Sequence, residues 1–245
     1  MKITVITVAF NSGATIADTL RSVSAQGYPD VEHIIVDGGS TDNTLELVRH
    51  LGARVSRLIS EPDQGIYDAM NKGLRVARGD FVGFLNADDM FAAPGTLAKM
   101  AAAMERADIV YGDLVYVDQA NTSKVVRQWR SGGFDPSRLR FGWMPPHPTF
   151  YVRRSKLGTQ QFDLRYRIAA DYDFMLRQLT RSPTRVSYVN EVLVHMRTGG
   201  ASNRSLTSIW LKSREDFQAM RRNQIGGLLT LAAKNIRKLP QFLRL

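Results

Sequence analysis

Asp88 and Asp89 follow the run Phe84-Leu85-Asn86-Ala87, so two adjacent carboxylates stand directly after an apolar segment. Like charges side by side repel each other unless a cation or hydrogen-bond donors balance them. A hard divalent cation takes oxygen ligands, and Mg2+ characteristically bridges one or two carboxylates to a substrate's phosphates. The plainer alternative is a turn that caps the next helix, because Asp is favoured at N-caps and in turns. Two further polar strand ends accompany the pair. Phe10-Asn11 follows an N-terminal β-branched run, and Asp37 follows Glu32-His33-Ile34-Ile35-Val36. In open α/β sheets ligands bind at the carboxyl edge, where an acidic residue after the second strand holds ribose hydroxyls. No G-x-G-x-x-G and no G-x-x-x-x-G-K-[ST] occurs, so dinucleotide and P-loop chemistry lose support. A nucleotide held without a glycine-rich loop needs another way to balance its diphosphate, and a metal on Asp88-Asp89 supplies one.

The elements that must position these groups follow from periodicity. Strands are predicted at residues 2–10, 32–36, 55–59 and 80–85, and helices at 14–26, 43–51 and 66–77. This alternation implies an α/β fold with a mostly parallel sheet flanked by helices and right-handed crossovers. Beyond Asp89 the pattern predicts a helix at 95–105, strands at 108–111 and 114–118, a helix at 171–180 and a strand at 186–194. Residues 131–148, rich in Gly, Pro and aromatics, read as loop, as do 199–203; helices at about 205–222 and 226–239 close the chain.

The chain has 245 residues, 44% hydrophobic and 23% charged, which suits one large α/β domain or a domain with an appendage. Cysteine is absent, which excludes disulfides and thiolate metal sites. The N-terminal MKITVITVAF lacks the apolar region and cleavage site of a signal peptide, and no apolar run is long enough to span a bilayer. The net charge of +10 is uneven. From Arg197 onward ten Lys or Arg stand against Glu215 and Asp216, a balance of +8, which leaves about +2 for the first 196 residues. A basic tail on a near-neutral domain points to an anionic surface rather than to nucleic acid. Residues 223–245 mix Leu, Ile and Phe with Lys234, Arg237, Lys238 and Arg244, which suits an amphipathic helix on an anionic leaflet; a helix packed on the domain or on a partner is the alternative.

The run Val5-Ile6-Thr7-Val8-Ala9-Phe10-Asn11 together with Val36-Asp37-Gly38-Gly39-Ser40-Thr41-Asp42 resembles the opening of a family-2 glycosyltransferase with the GT-A fold. Glu61-Pro62-Asp63-Gln64-Gly65-Ile66-Tyr67-Asp68-Ala69-Met70-Asn71-Lys72-Gly73 resembles the branch that builds bacterial exopolysaccharide, capsule and O-antigen units. Leu85-Asn86-Ala87-Asp88-Asp89 is similar to the family's metal motif, and Ala170-Asp171-Tyr172-Asp173 to its later acidic motif. The resemblance covers roughly residues 2–200 and implies a GT-A-type, Rossmann-like sheet. It places Asp37, Phe10, Asn11 and Asp88 at the donor nucleotide, Asp89 on a divalent cation (Mg2+ or Mn2+), and Asp171 as the base that activates the acceptor. Asn86 and Ala170 stand where relatives carry acids: the first weakens a multidentate metal site, because Asn contributes only a neutral oxygen, and the second leaves Asp171 and Asp173 both open as the base.

The implied reaction is inverting transfer of a sugar from a nucleotide-diphosphate donor to a glycan or lipid-linked acceptor hydroxyl. The metal neutralises the departing phosphate and a carboxylate takes the acceptor's proton. The expected division is a nucleotide-sugar half at 1–115, an acceptor half at 116–222 and a tail at 223–245. The expected setting is cytoplasmic, with peripheral contact at the inner face of the cell membrane through the tail. A sugar nucleotidyltransferase and an inactive nucleotide-sugar-binding module are the rivals. The first lacks the phosphate loop it needs at Asn11-Ser12-Gly13-Ala14; the second is kept open by Asn86 and Ala170. His147 and His195 are further candidates for the acceptor or the metal, Arg153-Arg154 and Arg165–Arg167 for phosphate, and Trp129 and Trp143 for sugar stacking, each with an ordinary structural alternative.

Overall fold

The computed structural model describes residues 1–159, 161–181, 183–199 and 206–236. At its centre lie β1 (Ile3–Ala9), β2 (Val31–Asp37) and β4 (Phe81–Phe84), with β3 (Val55–Ser60) outside β2. The sheet continues from β4 through β8 (Tyr151–Arg153), β6 (Ile109–Val117), β9 (Val186–Arg197) and β5 (Met90–Phe91), while β7 (Val125–Trp129) pairs with β6. β1, β2, β3 and β4 are parallel; β4 and β6 are both antiparallel to β8, so β6 points the same way as β4, and β9 follows β6. Six strands therefore end on one edge, and only β5, β7 and β8 run against them. The expected α/β fold with a mostly parallel sheet and flanking helices is the one observed.

Alternation explains the layers. All seven residues of β1 are buried. Ile6 and Val8 face the core shared with α3 (Ile66–Val76), α6 (Ala170–Leu179) and α7 (Leu206–Arg222). Ile3 and Val5 face the core shared with α1 (Ile16–Ser24) and α4 (Thr96–Met104), and α2 (Thr44–Leu51) closes a smaller cluster around Ala9 and Ile35. A strand with helices on both faces is apolar throughout, which is why β1 reads as an unbroken hydrophobic run.

The structure departs from the sequence-based elements in the second half. Residues 108–111 and 114–118 are one strand, β6, whose register on β9 shifts around Asp113. Asp113 is buried there and accepts from Ser131 N (2.7 Å) and Tyr188 Oη (2.9 Å), so a carboxylate sits inside a strand at the irregularity. The three-residue β8 and the polar β7 went unpredicted, because both are defined by pairing with β6 rather than by their own composition. Within residues 131–148 two short 3-10 turns form, at Pro136–Phe141 and His147–Thr149, and a one-turn helix α5 (Arg154–Leu157) follows β8.

The last described helix, α8 (Leu228–Ile236), packs on α7 and on the Pro136–Phe141 turn. Gly142 makes the close approach possible. It adopts a left-handed φ of 71°, and a Cβ there would lie 2.4 Å from Lys234 Cβ. Lys234 could face an anionic surface or pack on the domain. It is 2% exposed, its Nζ 2.8 Å from Asp216 Oδ1 and 3.2 Å from the centroid of the Tyr172 ring. An ammonium taken out of water needs a counter-charge, and Asp216 of α7 provides it. Arg237, Lys238 and Arg244 lie outside the described residues. Burial pushes the Asp216 carboxyl up, but Lys234 and Lys212 outweigh it and hold it below the usual carboxylate range. A depressed carboxylate stabilises the fold above its unfolded pKa, and that contribution is lost as pH falls through the folded value. Lys234→Met is expected to cost about 3 kcal/mol at neutral pH by urea denaturation, because it strands a buried charge, with a smaller loss in acid.

Candidate active site

The carboxyl edge brings the polar strand ends together. Ala9 is in register with Asp37, Gly38 N donates to Ala9 O (2.9 Å), and beyond β4 the chain stays beside β1 through Leu85 N to Ile6 O (3.0 Å) and Ala87 N to Val8 O (3.3 Å). Phe10-Asn11, Asp37 and Asn86–Asp89 therefore occupy adjacent positions on one rim.

Asp37 is fully buried and its carboxylate is consumed by the rim itself. Gly39 N (3.1 Å), Ser40 N (3.0 Å) and Ser60 Oγ (2.8 Å) donate to Oδ2, and Ser40 Oγ donates to Oδ1. Three of these donors crowd Oδ2 and one meets Oδ1, so Asp37 shapes the loop after β2. Ser40 Oγ also receives Asn11 N (2.8 Å), and Asn11 Oδ1 receives Thr41 N (2.9 Å). Asn11 takes a left-handed φ of 47°, a conformation Asn tolerates, which turns the chain between these bonds. The result leaves the Phe10 ring 62% exposed at the rim. It borders Gly38 and Asp63, where a Cβ on Gly38 would come within 3.4 Å of Phe10 Cδ2 and 2.5 Å of Asp63 Oδ2.

Asp88 and Asp89 differ in their surroundings. Asp88 is half-buried, and its carbonyl accepts from Arg197 Nη1 (3.0 Å). Arg197, at the end of β9, also bonds Gln119 O and ion-pairs with Asp18. Asp89 has no exposed surface, its carbonyl is held by Thr19 Oγ1 (2.7 Å), and neither carboxylate oxygen meets a partner at hydrogen-bond geometry. Burial first, and the Asp88 charge second, push the Asp89 carboxyl well above the usual range; Arg197 offsets part of this. Asn86 Oδ1 is likewise buried without a partner. Three unpartnered hard oxygens in one turn suit a divalent cation. Among the described residues no group of three or more Asp, Glu or His side chains that could hold a metal ion occurs, so a cation here would need substrate oxygens and water as further ligands.

Asp171 lies in the first turn of α6, half-buried, with its Oδ1 3.2 Å from Tyr67 Oη; Tyr67 also donates to Ile168 O (2.6 Å). Burial and the Asp171 charge raise the Tyr67 phenol, which stays a proton donor. Asp173, the other candidate base, is fully buried between Arg177 Nε (2.8 Å) and Asn223 Nδ2 (3.0 Å) and is spent on packing. The segment Glu61–Gly73 thus has a structural meaning. Tyr67 touches Asp171, and Asn71 exchanges two bonds with the Phe162 main chain (2.9 and 2.8 Å), docking the approach to α6.

Tyr116, near the end of β6, was not foreseen. Burial raises its phenol, Arg127 lowers it, and the charges of Asp89 and Asp171 raise it further. The Arg127 guanidinium sits 4.4 Å from its ring centroid. Arg197 was also missed. The available signal was a cation ending the apolar run Val192–Met196, but what it binds is set by chain pairing.

His147 is 8% exposed, stacked on Phe84 (5.4 Å), with Nε2 unpartnered; burial lowers it, while Asp171 pulls the other way. His195 pairs with Met90, next to Asp89, and burial lowers it too. Trp143 is core, its Nε1 donating to Ser131 O, and Trp129 is half-buried within 5.9 Å of Arg127. Arg153 pairs with Asp108 at the opposite, amino edge, away from the site, and exposed Arg165 pairs with Asp163. A cavity of about 120 Å³ lined by Lys156, Gln178 and Arg181 also opens on that far edge, away from these groups.

Comparison with known proteins agrees with this arrangement. The glycosyl transferase family 2 model matches residues 4–167. A PGL/p-HBAD biosynthesis glycosyltransferase of Mycobacterium tuberculosis is 36% identical over 217 residues, covering 85% of this chain and 82% of the relative. An uncharacterized glycosyltransferase of the same organism is 31% identical over 234 residues, 92% and 86% of the two chains. Among solved structures, S. aureus TarS 1-349 in complex with UDP-GlcNAc superposes with a TM-score of 0.71 at 22% identity, covering 99% of this chain and 72% of that one. The mannosyltransferase PcManGT from Pyrobaculum calidifontis, in complex with GDP-Man and Mn2+, gives 0.66 at 20% identity over 99% and 73%. The fold is that of these enzymes, and the sequence match decides the family: the chain belongs to glycosyl transferase family 2.

Proposed function

We propose that the chain transfers one sugar from a nucleoside-diphosphate donor to an acceptor hydroxyl with inversion, in the synthesis of a bacterial surface glycan. The observation that carries this reading is the contrast among the acids: half-buried Asp171 keeps one carboxylate oxygen without a structural bond in the described contacts, while both oxygens of buried Asp37 and Asp173 accept hydrogen bonds. The neighbours captured with UDP-GlcNAc, and with GDP-Man and Mn2+, support a nucleotide-sugar donor and a divalent cation.

The Phe10 ring offers a stacking face for the base, with Asn11 beside it, and Asp37 acts one step back by holding the loop. Asp88 and Asp89, with Asn86, would hold the cation, which supplies Lewis-acid neutralisation of the departing diphosphate. Asp89 is the ligand whose unpartnered charge gains most from it. Asp171 accepts the proton of the attacking hydroxyl as the bond to the anomeric carbon forms, with Tyr67 keeping the carboxylate in place. Residues 1–115 would carry the donor and 116–222 the acceptor, with Tyr116 at the seam. A lipid-linked acceptor and peripheral membrane contact are part of the proposal. The surface for such contact is Trp210 on α7 with Leu228, Leu229 and Ile236 on α8, all exposed, rather than Lys234. No described helix is long and apolar enough to cross a membrane. Residues 223–245 would serve as this contact.

Three outcomes test the reading. Asp171→Asn should lower turnover by at least ~10²-fold, the scale of general-base catalysis, and leave the thermal shift given by UDP-GlcNAc or GDP-Man with Mn2+ unchanged; retained turnover removes Asp171 from the reaction. For Asp89, a raised folded pKa means its stabilising contribution is present below the unfolded value and lost as pH rises through the folded one. Asp89→Asn should therefore raise the Tm of the cation-free protein at neutral pH, not in acid, and abolish the further rise that Mn2+ gives the parent; an unaltered Mn2+ response assigns the cation elsewhere. Leu228→Glu with Leu229→Glu should abolish co-sedimentation with phosphatidylglycerol vesicles, and persistence of binding locates the contact outside α8.

A further inference from the structure

Three consecutive main-chain amides converge on one side chain of α7. Arg167 N donates to Glu215 Oε1, and Ile168 N and Ala169 N donate to Oε2, each at 2.9 Å. Glu215 is 5% exposed and belongs to a helix beyond the residues that match the family model. Successive N–H groups converging on an anion form a concave nest, and here the anion is supplied from within the chain. The nest lies directly before Asp171. Ala169 is the N-cap residue of α6, its carbonyl accepts from Asp173 N (3.1 Å), and the carbonyl of Ile168 is the one Tyr67 Oη donates to (2.6 Å). The turn at 167–169 is thus clamped by Glu215 through its amides and by Tyr67 through a carbonyl. The neighbouring residue fastens the clamp to the body: Asp216 meets Lys212 (3.1 Å) and Lys234 (2.8 Å).

We propose that Glu215 is the positioning residue of the acceptor-activating carboxylate. It holds the turn that sets where α6 begins and hence where Asp171 stands, so the C-terminal helices, by this route, take part in catalysis without touching substrate. Nothing else observed at α7 accounts for a buried carboxylate there without a cationic partner among the described ion pairs. Removing the charge while keeping the shape leaves three amides sharing a weaker acceptor. The proposal rests on the assignment of Asp171 as the base.

The test is Glu215→Gln in the full chain, with Asp171→Asn measured alongside. Amide exchange is followed by mass spectrometry, and release of free nucleotide from UDP-GlcNAc and GDP-Man is followed kinetically. Positioning requires exchange across 166–173 to speed up about ten-fold or more while β1 to β4 keep parental rates, and kcat to fall about ten-fold at an unchanged donor KM, the loss expected for charge-assisted bonds. Parental exchange and parental kcat overturn it. So does faster exchange spread evenly over the chain, which marks a general loss of stability. An inactive Asp171→Asn beside a fully active Glu215→Gln overturns this proposal alone, whereas an active Asp171→Asn overturns the base assignment beneath it. Should Glu215→Gln not fold, Glu215→Asp, which keeps the charge but shortens its reach, is judged by the same criteria.

Discussion

A carboxylate taken out of water must be given hydrogen bonds or a cation, and the arrangement of this molecule follows from how each buried acid meets that demand. Asp37 takes four donors from the rim around it. Asp173 takes Arg177 and Asn223, Asp216 takes two lysines, and Glu215 takes three main-chain amides. Asp37 closes its own loop onto β3, Asp173 and Glu215 tie α6 and the turn before it to α7, and Asp216 ties α7 to α8. Asp89 stands apart. It is as buried as the others, yet its carboxylate oxygens have no hydrogen-bond partner and only Arg197 offsets part of the cost.

The same logic orders the site in layers. The carboxyl edge of the parallel strands collects the chain reversals, and only reversals put short polar residues next to one another without burying unpaired main chain. Bonds between the loops after β1 and β2 leave one aromatic ring, Phe10, projecting, while Arg197 ties the acidic turn after β4 to the end of β9. The second half of the chain closes the opposite side through Tyr67, Asp171 and the nest on Glu215. Near the end of β6 the Arg127 guanidinium covers the Tyr116 ring.

Much of this was legible in the amino-acid order because the first half is built from local patterns. Apolar runs ended by Asn11, Asp37 and Asp88 announce strands buried on both faces, and α1 to α4 follow from helical spacing. The α/β class, the shared edge and the acidic pair all follow from those patterns. The roles within the edge did not. Asp37 and Asp89 look alike as acids after strands, yet one accepts four hydrogen bonds and the other has no partner on either oxygen, and Asp171 and Asp173 are separated only by which neighbours fold against them. The place of Lys234 stayed open for the same reason, since a lysine in an amphipathic pattern reads equally as surface until Asp216 and the Tyr172 ring are placed around it.

By itself the sequence determined the strand–helix alternation, the family and the set of acids from which a site can be made, because these depend on composition and short-range spacing. Tertiary structure decided which acids are spent on holding the fold and which remain for chemistry. It also brought in Tyr116, Arg197 and Glu215, whose meaning lies in contacts made across long stretches of chain. Hydrogen-bond saturation and burial are properties of neighbours in space, and no periodicity along the chain encodes them.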